Sequence, residues 1–159
     1  MDNYEHTQKG TYIRGWVGFW GFAFFFGAMV LASINEESGA IALALSALSV
    51  AGIVALFHSL TVRVSGEEIA LSFGIGLIRK RFLIKTVKTA SIVQNRWYHG
   101  WGIKRIKGGW LYNVGGWDAV EIQLENGRKN RIGTDEPEDL LTAIESVIEN
   151  SDQATGKLD

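Results

Sequence analysis

The period of the hydrophobic pattern changes once along this chain, near residue 60. Before that point there are two uncharged stretches. Residues 15–34 (GWVGFWGFAFFFGAMVLASI) contain no Asp, Glu, Lys or Arg, and neither do residues 38–62. Only Asn35-Glu36-Glu37 separates them. A helix of about 20 residues spans the ~30 Å hydrocarbon core of a bilayer. The pattern therefore predicts an antiparallel transmembrane helical hairpin, about 13–34 and 38–59, behind an N-terminal tail of residues 1–12. The first stretch is longer than the apolar core of a signal peptide and a second follows at once, which argues against cleavage.

After Leu60 the period becomes two. Leu60, Val62 and Val64 alternate with Thr61, Arg63 and Ser65, as a half-buried strand requires, and Ile69, Leu71 and Phe73 repeat the pattern after a Ser65-Gly66-Glu67 turn. Gly74 and Gly76 mark another turn. Residues 77–85 and 86–93 are β-rich with imperfect alternation, which predicts a bend between them. Gly115-Gly116 between 110–114 and 117–124 signals a two-residue hairpin that would set Leu111 beside Val120. At Glu125-Asn126-Gly127 a three-residue loop pairs Val120 with Ile132 and keeps one apolar face; a two-residue loop does not. Thr134 and Asp135 are capping residues, and Pro137 suits a first helical turn. Leu140, Leu141, Ile144, Val147 and Ile148 then form one helical stripe. The fold class is α+β. About seven short antiparallel strands form a bent sheet or a sandwich, closed by a C-terminal helix, over residues 60–150. Residues 151–159 are a flexible tail.

Charge sharpens the topology. Lys9 and Arg14 precede the first span, basic residues from Arg63 onward follow the second, and the connecting loop has none. The positive-inside rule places both termini in the cytoplasm, in a multi-pass protein of the cell inner (cytoplasmic) membrane. Trp16 and Trp20 fall where an interfacial aromatic belt is expected. Residues 61–133 carry 13 Lys and Arg against 5 Asp and Glu, a balance of +8. Residues 134–159 carry 1 against 8, a balance of −7. A basic body beside a membrane is attracted to anionic headgroups by about 1 kcal/mol for each well-placed basic residue. The spans have no charge at their middle, which favours an anchor over an ion path. Ala23 with Gly27, and Ala40, Ala44, Ala47, Ala51 and Ala55, are small residues spaced for close helix packing.

Candidate chemistry is sparse. There is no cysteine, hence no disulfide and no thiolate ligand or nucleophile. His6, His58 and His99 have no metal-ligand spacing, and the glycines do not form a phosphate loop ahead of a helix. No catalytic residue, metal or cofactor is expected. The most unusual soluble segment is 96–110, RWYHGWGIKRIKGGW, which mixes aromatic, basic and glycine residues. Such a mixture suits a membrane interface or a protein interface; equally, the tryptophans can fill a small core while the glycines turn the chain. Nucleic acid is disfavoured. The candidate contact residues are Arg79, Lys80 and Arg81 together with Trp97, Tyr98, Trp101, Lys104, Arg105, Lys107 and Trp110.

The stretches LTVRVSGEEIALSFGIGLIRKRF at 60–82, GWGIK at 100–104, WLYNVGG at 110–116 and AVEIQLENGRKNRIGTDEPEDLLTAI at 119–144, set behind a hairpin, resemble small bacterial membrane proteins. Those proteins carry a pleckstrin-homology-like (PH-like) domain directly after a transmembrane hairpin. The resemblance covers most of 60–150 and implies a PH-like sandwich or open barrel serving as a tethered, non-catalytic interaction module. Its partners would be proteins, anionic lipid or both; a structural or self-associating subunit of a membrane complex is the alternative. PH domains that bind phosphoinositides use basic residues around the first hairpin loop. Here that loop is Ser65-Gly66-Glu67-Glu68, so their site does not carry over.

Overall fold

The computed structural model describes residues 4–34 and 37–155, without the side chains of 12–14, 99, 152 and 154–155. Asn35 and Glu36 of the predicted link, the Arg14 side chain used for orientation and residues 156–159 of the predicted tail lie outside the described part.

The described part starts with a strand, β1 (Tyr4–Lys9), followed by α1 (Thr11–Ser33), α2 (Glu37–Phe57) and β2 (Ser59–Val64). Both helices are long and apolar enough to cross a membrane. They are antiparallel neighbours. A Cβ added to Gly21 would lie 2.9 Å from Val50 Cγ1, and one added to Gly27 would lie 3.0 Å from Leu43 Cδ1. Gly27 thus serves the close approach that the sequence pattern suggests.

β1 is a difference from expectation, because residues 1–12 read as a tail. Its alternation is hidden because the inward positions are polar or amphipathic: Tyr4, His6 and Gln8 are at least partly covered. It pairs antiparallel with β2 along its whole length, from Tyr4↔Val64 to Lys9↔Ser59. The two helices therefore extend directly from two paired strands. Where strands become helices, the Gly10 amide donates to the His58 carbonyl at 2.8 Å. His58 Nδ1 lies 3.1 Å from the Ala55 carbonyl oxygen.

The remaining elements are β3 (Glu68–Phe73), β4 (Ile78–Leu83), β5 (Val87–Gln94), β6 (Gly102–Ile106), β7 (Gly109–Asn113), β8 (Asp118–Leu124), β9 (Lys129–Gly133) and α3 (Pro137–Thr155). The predicted bend falls at a 3-10 turn, Ile84–Thr86, with a register shift between Val87 and Thr89. Among the described residues nine strands form two unclosed sheets, β1-β2-β3-β4 and β5-β8-β9-β7-β6. The two strands beyond the expected seven are β1 and β6.

The Gly115-Gly116 hairpin does not form, and Leu111 is not beside Val120. β7 pairs antiparallel with β6 and parallel with β9, which separates it from β8, so Leu111 lies opposite Lys104 and Arg131. Two local features account for this. Asn113 satisfies the turn itself: its Oδ1 accepts the Gly115 amide at 3.1 Å and its Nδ2 donates to the Gly116 carbonyl at 3.3 Å. Gly109 has no Cβ, and the Lys129 carbonyl occupies the space a Cβ would need, so β9 seats against β7. The three-residue loop before β9 does form: Val120 faces Ile132, and Gly127 has φ +78°.

The core lies between the sheets. Leu60, Val62, Val64, Ile69, Leu71 and Phe73 meet Tyr112, Val114, Val120, Ile122 and Ile132, and α3 covers the assembly with Leu140 and Ile144. Fully burying one such side chain contributes about 1.5–3 kcal/mol. Thr134 Oγ1 accepts the Glu136 amide at 3.0 Å, a turn just ahead of α3, whose cap position is taken by Glu136 and not by the expected Thr134 or Asp135. α3 continues to Thr155, beyond the point near Asn150 where its polar composition suggests fraying.

Candidate functional site

The alternation of strand direction gives the β-domain two ends. One is the root of the helices. There the Gly74 amide donates to the Ser59 carbonyl at 2.9 Å and the Ile75 amide to the Ala55 carbonyl at 3.3 Å. These bonds hold the β3–β4 turn against the last turn of α2. Gln8 Nε2 donates to the Gly115 carbonyl at 2.9 Å, fixing the β7–β8 connection beside the start of α1. The Asn95 amide donates to the Trp117 carbonyl at 2.6 Å, which brings the β5–β6 loop to the same end. The far end holds the Ser65–Glu67, Ile84–Thr86, Lys107-Gly108 and Glu125–Arg128 turns. Three of them are tied together by Ile84 to Glu67 and Glu125 to Thr86, each amide donating at 2.9 Å, and the Gly108 carbonyl accepts the Lys129 amide at 2.9 Å.

Exposed apolar side chains divide unevenly between these ends. Among the described residues that follow α2, the large exposed hydrophobic residues are Ile75, Leu77, Leu83, Ile92, Trp97, Tyr98, Trp110 and Trp117. Ile75, Leu77, Trp97, Tyr98 and Trp117 belong to the three root-end loops, with Leu77 74% and Trp97 79% exposed. The other three lie on strands: Ile92 within β5, Leu83 at the end of β4 beside the far-end Ile84–Thr86 turn, and Trp110 near the far-end start of β7. Folding alone does not favour this segregation, since each group costs free energy to leave in water.

The ten candidate residues do not form one patch. Arg79 and Arg81 share the outer face of β4. Lys80 takes the other face, with Nζ 5.6 Å from the centre of the Phe82 ring. Trp97 and Tyr98 open outward in a 3-10 turn, while Trp101 turns in and packs on the core. Lys104 and Arg105 lie on edge strand β6 and Lys107 at the far end; with Tyr98 and Ile106 they border a shallow depression of about 370 Å³. Trp110 is half exposed on β7. The His99 side chain is outside the described residues.

A larger concavity is one that residue spacing along the sequence did not point to. It is a groove of about 770 Å³ over the outer face of the first sheet. Strand register puts Thr7, Thr61, Ser72 and Arg79 in one row across the four strands, and Glu5, Arg63, Ala70 and Arg81 in the next. Arg63 Nη2 donates to Glu5 Oε1 at 2.8 Å, and Arg81 Nη1 lies 3.7 Å from Glu68 Oε1. The hydrogen bond from Arg63, with its positive charge, holds the Glu5 carboxyl below its ordinary value. Arg79 instead donates through Nε to the neutral carbonyl of Gly76 at 2.7 Å. Only the alternating polar positions of four strands, read together with their register, could have revealed this surface.

His6, assigned by sequence to a tail, joins β1 to the start of α3. Its Nε2 lies 2.7 Å from Asp135 Oδ1 and its Nδ1 3.0 Å from Glu136 Oε2. No cluster of three or more His, Asp or Glu arranged to hold a metal occurs among the described residues. Comparison with protein-family models, curated proteins and solved structures found no match.

Proposed function

We propose that this protein is a membrane-anchored, non-catalytic interaction module whose β-domain has a PH-like architecture and rests on the cytoplasmic face of a bacterial membrane. There it engages anionic lipid and protein partners at the bilayer surface. One observation carries the reading: among the described residues, five of the eight large exposed hydrophobic side chains of the β-domain belong to the loops at the end from which the two apolar helices leave. If those helices span the bilayer, the loops that carry Ile75, Leu77, Trp97 and Trp117 lie at the headgroup level, where tryptophan is favoured. The polar far-end turns then face the aqueous phase. The two-sheet sandwich with a C-terminal helix supports the PH-like assignment, and the basic balance of residues 61–133 supports attraction to an anionic leaflet.

The absence of cysteine makes the test direct. Single-cysteine variants Trp97→Cys and Glu67→Cys of the full chain, in vesicles, would carry a nitroxide. Expected is a label at 97 shielded from a water-soluble relaxation agent and reached by oxygen, with a label at 67 fully open to water. Equal aqueous access at both positions rejects the reading. In native membranes, labelling of Glu67→Cys by an impermeant maleimide only from the cytoplasmic side checks the orientation.

A further inference from the structure

We infer that the groove on the outer face of β1–β4 is a binding site for the phosphate headgroup of an anionic phospholipid from the leaflet in which the helices are anchored. This rests on the membrane reading above and adds the ligand class and the residues that receive it.

The first argument is position. The groove begins at the β3–β4 turn, which is hydrogen-bonded to the last turn of α2 through Ile75 and Ala55. Gly74, Ile75 and Gly76 form its upper wall. A lipid beside α2 would have its acyl chains against the helix and its headgroup against this turn. The exposed side chains of Ile75 and Leu77 form an apolar lip where chains give way to headgroup.

The second argument is chemistry. Of the two rows that line the groove, the one nearer the helices presents the hydroxyl of Thr61, which shares a hydrogen bond with Thr7 at 2.8 Å, the hydroxyl of Ser72 and the guanidinium of Arg79. Gly76 leaves the space between them open: a Cβ there would lie 3.4 Å from Arg79 Nη2 and 3.5 Å from Ser72 Oγ. One small oxyanion can therefore reach both a guanidinium and a hydroxyl. Guanidinium groups bind phosphate through parallel N–H donors, and hydroxyls supply further hydrogen bonds.

The third argument is electrostatic selection within the groove. Glu5 and Glu68 stand against Arg63 and Arg81, respectively. Arg79 is held by a backbone carbonyl, with no carboxylate within 4 Å of it among the described residues. Its charge is therefore available to an anion at the bilayer end, while the paired arginines fix the groove walls farther from the bilayer. Ala70, between Arg63 and Arg81 in the second row, keeps the floor low enough for a headgroup substituent.

The test uses the full chain in phosphatidylcholine nanodiscs containing a minor fraction of chain-spin-labelled phosphatidylglycerol. Expected is a motionally restricted phosphatidylglycerol population exceeding that of a phosphatidylcholine probe. Its association should fall about tenfold in Arg79→Gln, the loss of one charge-assisted donor group. It should fall similarly in Ala70→Leu, which fills the groove and keeps every charge. Lys85→Gln, which removes one charge at the far end, should leave it unchanged. Equal restriction of the two lipids in the unaltered protein overturns the proposal, as does unaltered phosphatidylglycerol preference in both groove variants. Release of the probe by inorganic phosphate at matched ionic strength would assign the groove to a soluble phosphate and reject the lipid. A nitroxide on Leu77→Cys separates the two levels. Water exposure equal to that of Glu67→Cys rejects the membrane reading and this site with it. A shielded label without phosphatidylglycerol preference rejects this site alone.

Discussion

Ile75 is suspended from the second apolar helix: its amide donates to the Ala55 carbonyl at 3.3 Å, across the junction where helix becomes strand. A hydrogen bond between a β-turn and a helix end fixes the angle at which the domain meets the helix. The Phe57 ring reinforces it by meeting the Phe73 ring nearly edge-on, with centroids 5.8 Å apart. The apolar helix and the core thus form one packed joint, with no linker between them.

That joint depends on Gly74. Its φ is +49°, and a Cβ would collide with the Ala55 carbonyl and approach the Leu56 carbonyl to 2.6 Å. Gly74→Ala should cost at least about 2 kcal/mol, from left-handed strain together with the backbone clash. Hydrogen exchange in nanodiscs should show faster exchange at Ile75 and along β3–β4, with β8 and β9 protected as before. Unchanged protection at Ile75 contradicts this account of the joint.

Gly109 tests the unexpected sheet order. Any Cβ there overlaps the Lys129 carbonyl, so Gly109→Ala should weaken the parallel β7–β9 pairing by about 2–3 kcal/mol. The loss is measurable as a lower midpoint of chemical unfolding and faster exchange at 129–132. A variant as stable as the parent would mean that β9 does not lie against β7.

Glu121 gives an acid-side prediction. Partial burial pushes its carboxyl up, but the hydrogen bonds and charges of Arg131 and Lys129 outweigh this and hold it below its ordinary 4.5. Arg131 Nε lies 2.8 Å from Glu121 Oε2, and Lys129 Nζ 3.0 Å from Oε1. A depressed folded-state value means that the contribution is complete above 4.5 and is lost as pH falls through the folded value. Glu121→Gln should cost about 1 kcal/mol at neutral pH, kept small because Lys129 is exposed to screening water. It should also flatten the acid limb below pH 4.5. An acid limb identical to the parent's refutes this.

Tyr4 gives the alkaline counterpart. Burial first, and then the carboxylates of Glu136, Asp139 and Asp135, push its phenol from 10.0 up to about 12. Because the folded value is raised, the stabilising contribution is complete below pH 10 and disappears as pH rises through about 12. Subtracting the ultraviolet titration of Tyr4→Phe from that of the parent should isolate a phenolate appearing near pH 12. A difference curve centred at 10 would show that β1 leaves Tyr4 in water.

Much of this architecture was legible because its causes are local. Uncharged runs mark the apolar helices wherever the chain goes. Period-two alternation marks β2 and β3, Gly127 has the residue type a left-handed loop position requires, and Thr134 precedes a helical stripe. β1 escaped because its inward positions are Tyr4, His6 and Gln8, and a polar inward face leaves no alternation to read. The Gly115-Gly116 signal misled because Asn113 satisfies the turn from its own side chain, while the space at Gly109 admits a strand 20 residues farther on. No spacing along the chain records that competition.

The candidate site divides in the same way. The sequence by itself determined that aromatic and basic residues are present near 96–110 and that Arg79, Lys80 and Arg81 are adjacent. It also determined the strand parity that separates Lys80 from its two neighbours, since successive strand side chains point to opposite faces. Only the tertiary structure decided that Trp101 packs inward while Trp97 opens outward. It alone brought Arg63, Ser72 and Arg79 onto one surface, because strand register joins residues distant in sequence. It also gathered Ile75, Leu77, Trp97 and Trp117 at the root of the helices, because the ends of a sheet collect loops that the chain visits at widely separated points.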